Sequence, residues 1–73
     1  MAESSEELKK LIAIAIDLGL SAKLRIKAID LIGNIGAHDA LLQLLGLAAN
    51  ENLTGGEREL ALKHAKEIIK RGR

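Results

Sequence analysis

Apolar residues recur every three or four positions in four blocks of the chain, with polar breaks between them. That spacing is the period of a helix buried along one side. The first block carries Leu8, Leu11, Ile12, Ala15 and Leu18; Ser4 and Glu7 open it with capping-box spacing and Gly19 closes it, which predicts a helix over about 4–18. Its middle, Leu11 to Ile16, alternates large and small side chains as a strand does, but a lone strand has no partner here for its backbone groups. The helical reading leaves Ile14 and Ile16 off the main stripe, so this helix needs cover on two sides or offers apolar surface to a partner.

The second block starts behind Ser21, a candidate N-cap, and runs over about 21–35 with Leu24, Ala28, Leu31, Ile32 and Ile35 as its face and Lys23, Lys27, Asp30 and Asn34 outward. Gly33-Asn34-Ile35-Gly36 is the pivot into the next block, and Gly36 has the place of a left-handed C-terminal residue. The third helix is expected over about 38–50, with Leu41, Leu42, Leu44, Leu45, Leu47 and Ala48; Gly46 inside it marks a close approach by a neighbour. Thr54 and Glu57 form a second capping box, followed by a helix over about 56–71 that buries Leu60, Ala61, Ala65, Ile68 and Ile69.

The two halves align without a gap at an offset of 33 residues, dividing the chain into repeats 8–40 and 41–73. Leu8 falls on Leu41, Leu11 on Leu44, Ala15 on Ala48, Leu20 on Leu53, Arg25 on Arg58, Ala28 on Ala61 and Ile35 on Ile68, while Ser21 meets Thr54. Matches between leucines of amphipathic helices carry little weight; the caps and the two arginines carry more. The expected fold is therefore all-α, with four helices in two antiparallel hairpins. They close either as a compact bundle or as a short solenoid.

Composition agrees with helix throughout. The chain has no aromatic residue, valine or proline, and is rich in leucine, alanine, glutamate and lysine. Seventy-three residues make a single domain, 1–73, near the lower size limit for folding unaided, and no cysteine exists to staple it. The net charge of +1 argues for no particular partner. Glu3, Glu6 and Glu7 begin the first helix while Lys63, Lys66, Lys70, Arg71 and Arg73 crowd the last, as the helix dipole favours at its two ends. No apolar run approaches the ~20 residues of a membrane span, and no signal-peptide pattern is present. The expectation is a soluble protein without a membrane partner, cytoplasmic if natural.

Arg25, Ala28, Ile35, Gly36, Ala40 and Leu44, with Arg58 and Ala61 repeating the first two, give the chain a family resemblance. A hairpin of about 33 residues with an arginine early in its second helix, an alanine three residues on and Ile-Gly before the next hairpin resembles HEAT-like repeats of the phycobilisome-lyase type. Ala37 stands where such repeats usually carry an acidic cap. The resemblance implies a stack of helical hairpins that binds protein segments.

Catalytic chemistry finds few reagents. There is no cysteine nucleophile, no Gly-Xaa-Ser-Xaa-Gly elbow and no phosphate-binding Gly-Lys-Ser/Thr, and Gly55-Gly56 is read as the turn behind the Thr54 cap. His64 with Glu67, and His38 with Asp39, are too few ligands for a zinc site; His64 is read as a side chain at the core margin. Lys23, Arg25 and Lys27, together with the basic residues of the last helix, raise a remote nucleic-acid reading. Interspersed acids and the lack of a stacking aromatic count against it.

We therefore expect no enzyme, no cofactor and no metal. The first expectation is an idealised or de novo designed helical scaffold with no activity, for which caps, charge polarity and composition all agree. The alternative is a HEAT-like module that binds protein, or a second copy of itself as a homodimer, through Ile14, Ile16 and Ile26.

Overall fold

The computed structural model describes residues 2–72, with side chains from residue 6 onward. Four helices form: α1 (Ala2–Ala15), α2 (Ala22–Ile35), α3 (His38–Ala49) and α4 (Gly55–Arg71), with no strand among the described residues. The chain is a small all-α bundle, as its periodicity requires.

α1 begins and ends earlier than the expected 4–18. Ser4 lies inside it, and because the Ser4 side chain is outside the described residues, the first capping box is not placed. Its end is set by Asp17, whose carboxylate accepts from the Gly19 amide at 2.9 Å and whose carbonyl accepts from the Leu20 amide at 3.1 Å. Such an Asx turn competes with helix, and Leu18 is left outside α1 and exposed. Ser21 caps α2 by accepting from the Leu24 amide, and Gly36 closes it at φ 69°. Ala37 precedes α3 with no side-chain bond, whereas Thr54 and Glu57 complete the capping box of α4 with reciprocal bonds of 3.2 Å.

Consecutive helices pack together, α1 on α2 and α3 on α4, and α2 joins the two pairs by packing also on α4 and α3. α1 does not reach α4. The buried apolar residues are Leu8 and Ala15 of α1, Ala28, Ile29 and Ile32 of α2, Ala40, Leu44 and Leu47 of α3, Ala61, Ala65 and Ile68 of α4, and Leu53 in the last loop. The Cα radius of gyration, 11.3 Å, matches the ~11 Å of a folded chain of this length.

One buried face differs from expectation. α2 turns Arg25, Ala28, Ile29, Ile32 and Gly33 inward, leaving Leu24 and Leu31 exposed. The two stripes overlap and differ by about 100° of rotation, one residue step on a helix. As the joint between the pairs, α2 presents whichever stripe α1 and α4 together cover. Leu42 and Leu45 of α3 and Ile69 of α4 are likewise exposed.

Candidate functional site

The most elaborate polar arrangement lies where the two helix pairs meet. Arg25, one turn into α2, and Glu57, at the third position of α4, are both buried, Glu57 completely. The Arg25 Nε and Nη2 atoms donate to Glu57 Oε2 at 3.2 and 2.9 Å, and Nη1 donates to the carbonyls of Leu20 at 2.6 Å and Asp17 at 3.4 Å. Glu57 Oε1 accepts from the Thr54 amide. Each charge is thus paired, and both carboxylate oxygens are satisfied, which is what makes complete burial of an acid tolerable. A glutamate that reads in sequence as a helix cap is also the clamp between α2 and α4.

Arg58 repeats part of this. Its Nε donates to the Ala48 carbonyl at 2.8 Å, so each arginine reaches back from the second helix of a pair to backbone near the end of the first. The counterpart of Glu57 is Leu24. Sequence reasoning used the arginines as markers of a repeat and missed the ion pair. The departure at position 24, where the second copy carries an acid, was the available signal.

A second contact spans the same joint. His64 Nε2 lies 2.8 Å from Asp30 Oδ1, and the imidazole covers Gly33 so closely that a Cβ there would meet its Nδ1 at 2.3 Å. Gly33 is therefore a buried helical residue that makes room for His64, rather than part of the turn its neighbours suggest. Among the described residues Gly36 alone has the left-handed backbone. Gly46, expected to mark a close approach, has nothing within 4 Å of its Cβ position.

His64 is half-buried at the core margin and bonded to Asp30 of another helix, while Glu67, its partner by spacing, is exposed. His38 and Asp39 are both exposed. Among the described residues no three His, Cys, Asp or Glu side chains come together as a metal site would need. Of the basic residues at the start of α2, Arg25 is buried and paired, which removes it from any nucleic-acid surface; Lys23 and Lys27 remain exposed.

The three apolar candidates for a partner surface, Ile14, Ile16 and Ile26, are exposed at 38%, 45% and 37%. The 33-residue offset separates them. The counterpart of Ile14 is Leu47, buried in the second pair, whereas the counterparts of Ile16 and Ile26 are Ala49 and Glu59, both exposed. Ile14 thus belongs with Leu24 and Leu31, whose counterparts Glu57 and His64 pack against α2. Shallow grooves cross the surface of the described residues. Gly36, His38, Leu41, Ile68 and Arg71 line one; Lys10, Leu11, Leu31 and Ile35 a second; Ala48, Gly55, Arg58, Glu59 and Leu62 a third. Among the described residues no helix is long and apolar enough to cross a membrane. Comparison with protein-family models, curated proteins and solved structures finds no match.

Proposed function

We propose that this chain is a non-enzymatic helical scaffold, built as two copies of one HEAT-like hairpin, whose use is to bind protein. The observation that supports this reading is the surface. Among the described residues ten large aliphatic side chains are exposed, Ile14, Leu24 and Leu31 of the first hairpin among them. Apolar side chains that share one uncovered face mark contact sites in soluble proteins. A designed scaffold that exposes the same residues makes the same physical prediction.

The function is tested by sedimentation across a concentration series. The wild-type chain is expected to gain mass with concentration, and the variant Ile14→Lys/Leu31→Lys to remain monomeric with unchanged helicity. A wild-type chain that stays monomeric throughout would remove self-association as the use of this face.

A further inference from the structure

The joint between the two hairpins is a worked example of what this chain can hold, and half of it is present a second time without an occupant. At the joint, Arg25 receives Glu57, Ile29 is completely buried, and Gly33 receives His64. One hairpin later the same places are held by Arg58, Leu62 and Lys66. Leu62 is 54% exposed and Lys66 is exposed. Arg58 is fixed by its bond to the Ala48 carbonyl and, among the described residues, has no carboxylate within ion-pair distance. A shallow groove runs beside it between Ala48, Gly55 and Leu62, with the exposed Glu59 at the rim.

The geometry points to this face as a docking surface for a helical hairpin of another protein. The second helix of that hairpin opens with Ser or Thr followed three residues later by Glu, and carries a small residue seven positions after the Glu. The acid takes the place on Arg58 that Glu57 takes on Arg25. The small residue is required because Lys66 stands where Gly33 makes room for His64, which lies seven positions after Glu57. A second copy of this chain does not meet the specification. Its own second helix opens Ser21-Ala22-Lys23-Leu24, with leucine where the acid is needed and Leu31 where the small residue is needed. An arginine desolvated against leucine is an unpaired charge, so head-to-tail stacking of identical chains is disfavoured.

This inference rests on the two-hairpin reading above, but its receiving face is the opposite one and self-association is read on the wild-type chain alone, so each can fail alone. The test converts one full-length chain into the specified partner. The donor is Leu24→Glu/Leu31→Ala/Arg58→Met, altered at two exposed positions to create the acid and the space, and at Arg58 so that it cannot bind itself. The acceptor is the wild-type chain, at concentrations where it is monomeric. Titration calorimetry with sedimentation is expected to show a one-to-one complex. Affinity should fall about tenfold or more when the acceptor carries Arg58→Met, and equally when the donor retains Leu24. Because the donor also carries Arg58→Met, Leu24→Glu/Leu31→Ala with Arg58 retained is sedimented in parallel; it is expected to associate head to tail with itself where Leu31→Ala alone does not, a comparison that stands even if Arg58→Met unfolds the protein. Absence of a complex, or binding indifferent to Glu at position 24, would overturn the proposal, while leaving the self-association test of the Ile14 face unaffected.

Discussion

Replacing Glu57 by glutamine tests whether the buried ion pair holds the two helix pairs together. Glutamine keeps the volume, and its carbonyl can serve either the Thr54 amide or Arg25, but not both as the two carboxylate oxygens do. Its amide nitrogen is a donor facing a donor. Removing one partner of a buried pair costs about 3–5 kcal/mol, because the remaining charge stays desolvated. A domain of seventy-three residues has total stability on the order of 4–11 kcal/mol, so Glu57→Gln should remove about a quarter of it or more. At this size each kcal/mol shifts the melting temperature by roughly 4–8 °C, which makes the expected fall on the order of 10–40 °C. The chain has no aromatic fluorophore, so the assay is urea and thermal unfolding followed by far-ultraviolet circular dichroism. A cycle with Arg25→Met separates the pair from the rest. Arg25→Met also strips the Leu20 and Asp17 carbonyls of their donor, but the double variant should be at least ~2 kcal/mol more stable than the two single losses added together. A Glu57→Gln protein within about 0.5 kcal/mol of wild type, or an additive cycle, would refute the argument that this pair couples α2 to α4.

Gly33→Ala should destabilise the protein by about 1–3 kcal/mol despite the helix preference of alanine, since its Cβ must displace the imidazole of His64. The same change made in His64→Ala should instead stabilise by up to ~1 kcal/mol, and thermal melts of the four proteins would show the reversal of sign. Gly36→Val puts a β-branched side chain at φ 69° and should cost about 1–2 kcal/mol or more; an unchanged melting temperature would mean the turn needs no left-handed residue. Ala37→Asp supplies the side-chain acceptor that α3 lacks, in a backbone already extended at φ −81° and ψ 163°, and should raise stability by about 0.5–2 kcal/mol. Gly46→Ala, in an exposed place with no neighbour, should add about 0.5–1 kcal/mol in urea unfolding.

What was legible in the sequence was local. Helical periodicity, the Ser21 and Thr54 caps and the Gly36 stop involve residues within one or two turns of each other, and the four helices lie where these signals put them apart from α1, which both begins and ends early. That end escaped because leucine at position 18 extends the apolar period, while the Asp17 side chain captures the Gly19 amide and ends the helix first. The rotation of α2 was not legible, because Leu24, Ala28, Leu31 and Ile35 make as good a helical stripe as Arg25, Ala28, Ile29 and Ile32. Only the positions of α1 and α4 choose between them. The two glycines were misread in opposite directions for a related reason. A helical glycine is explained by what lies over it: Gly33 has a histidine from a residue 31 positions away, and Gly46 has nothing.

Residues that differ across the 33-residue offset are informative in a way that the matching ones are not. The matches, Ser21 with Thr54, Arg25 with Arg58 and Ala28 with Ala61, are needed to build either helix pair by itself. In each of the mismatches Leu24 against Glu57, Asp30 against Lys63, Leu31 against His64 and Gly33 against Lys66, one member, Glu57, Asp30, His64 or Gly33, lies at the joint, while its counterpart is exposed elsewhere. Each mismatch gives one side of a contact to only one hairpin: the acid for Arg25, the carboxylate for His64, the imidazole, and the space that receives it. A chain of two identical hairpins would have offered the same inserted surface at one end and the same receiving surface at the other, and would have polymerised head to tail. The four differences join the two helix pairs in one order and leave the outer faces of identical chains unable to repeat that contact.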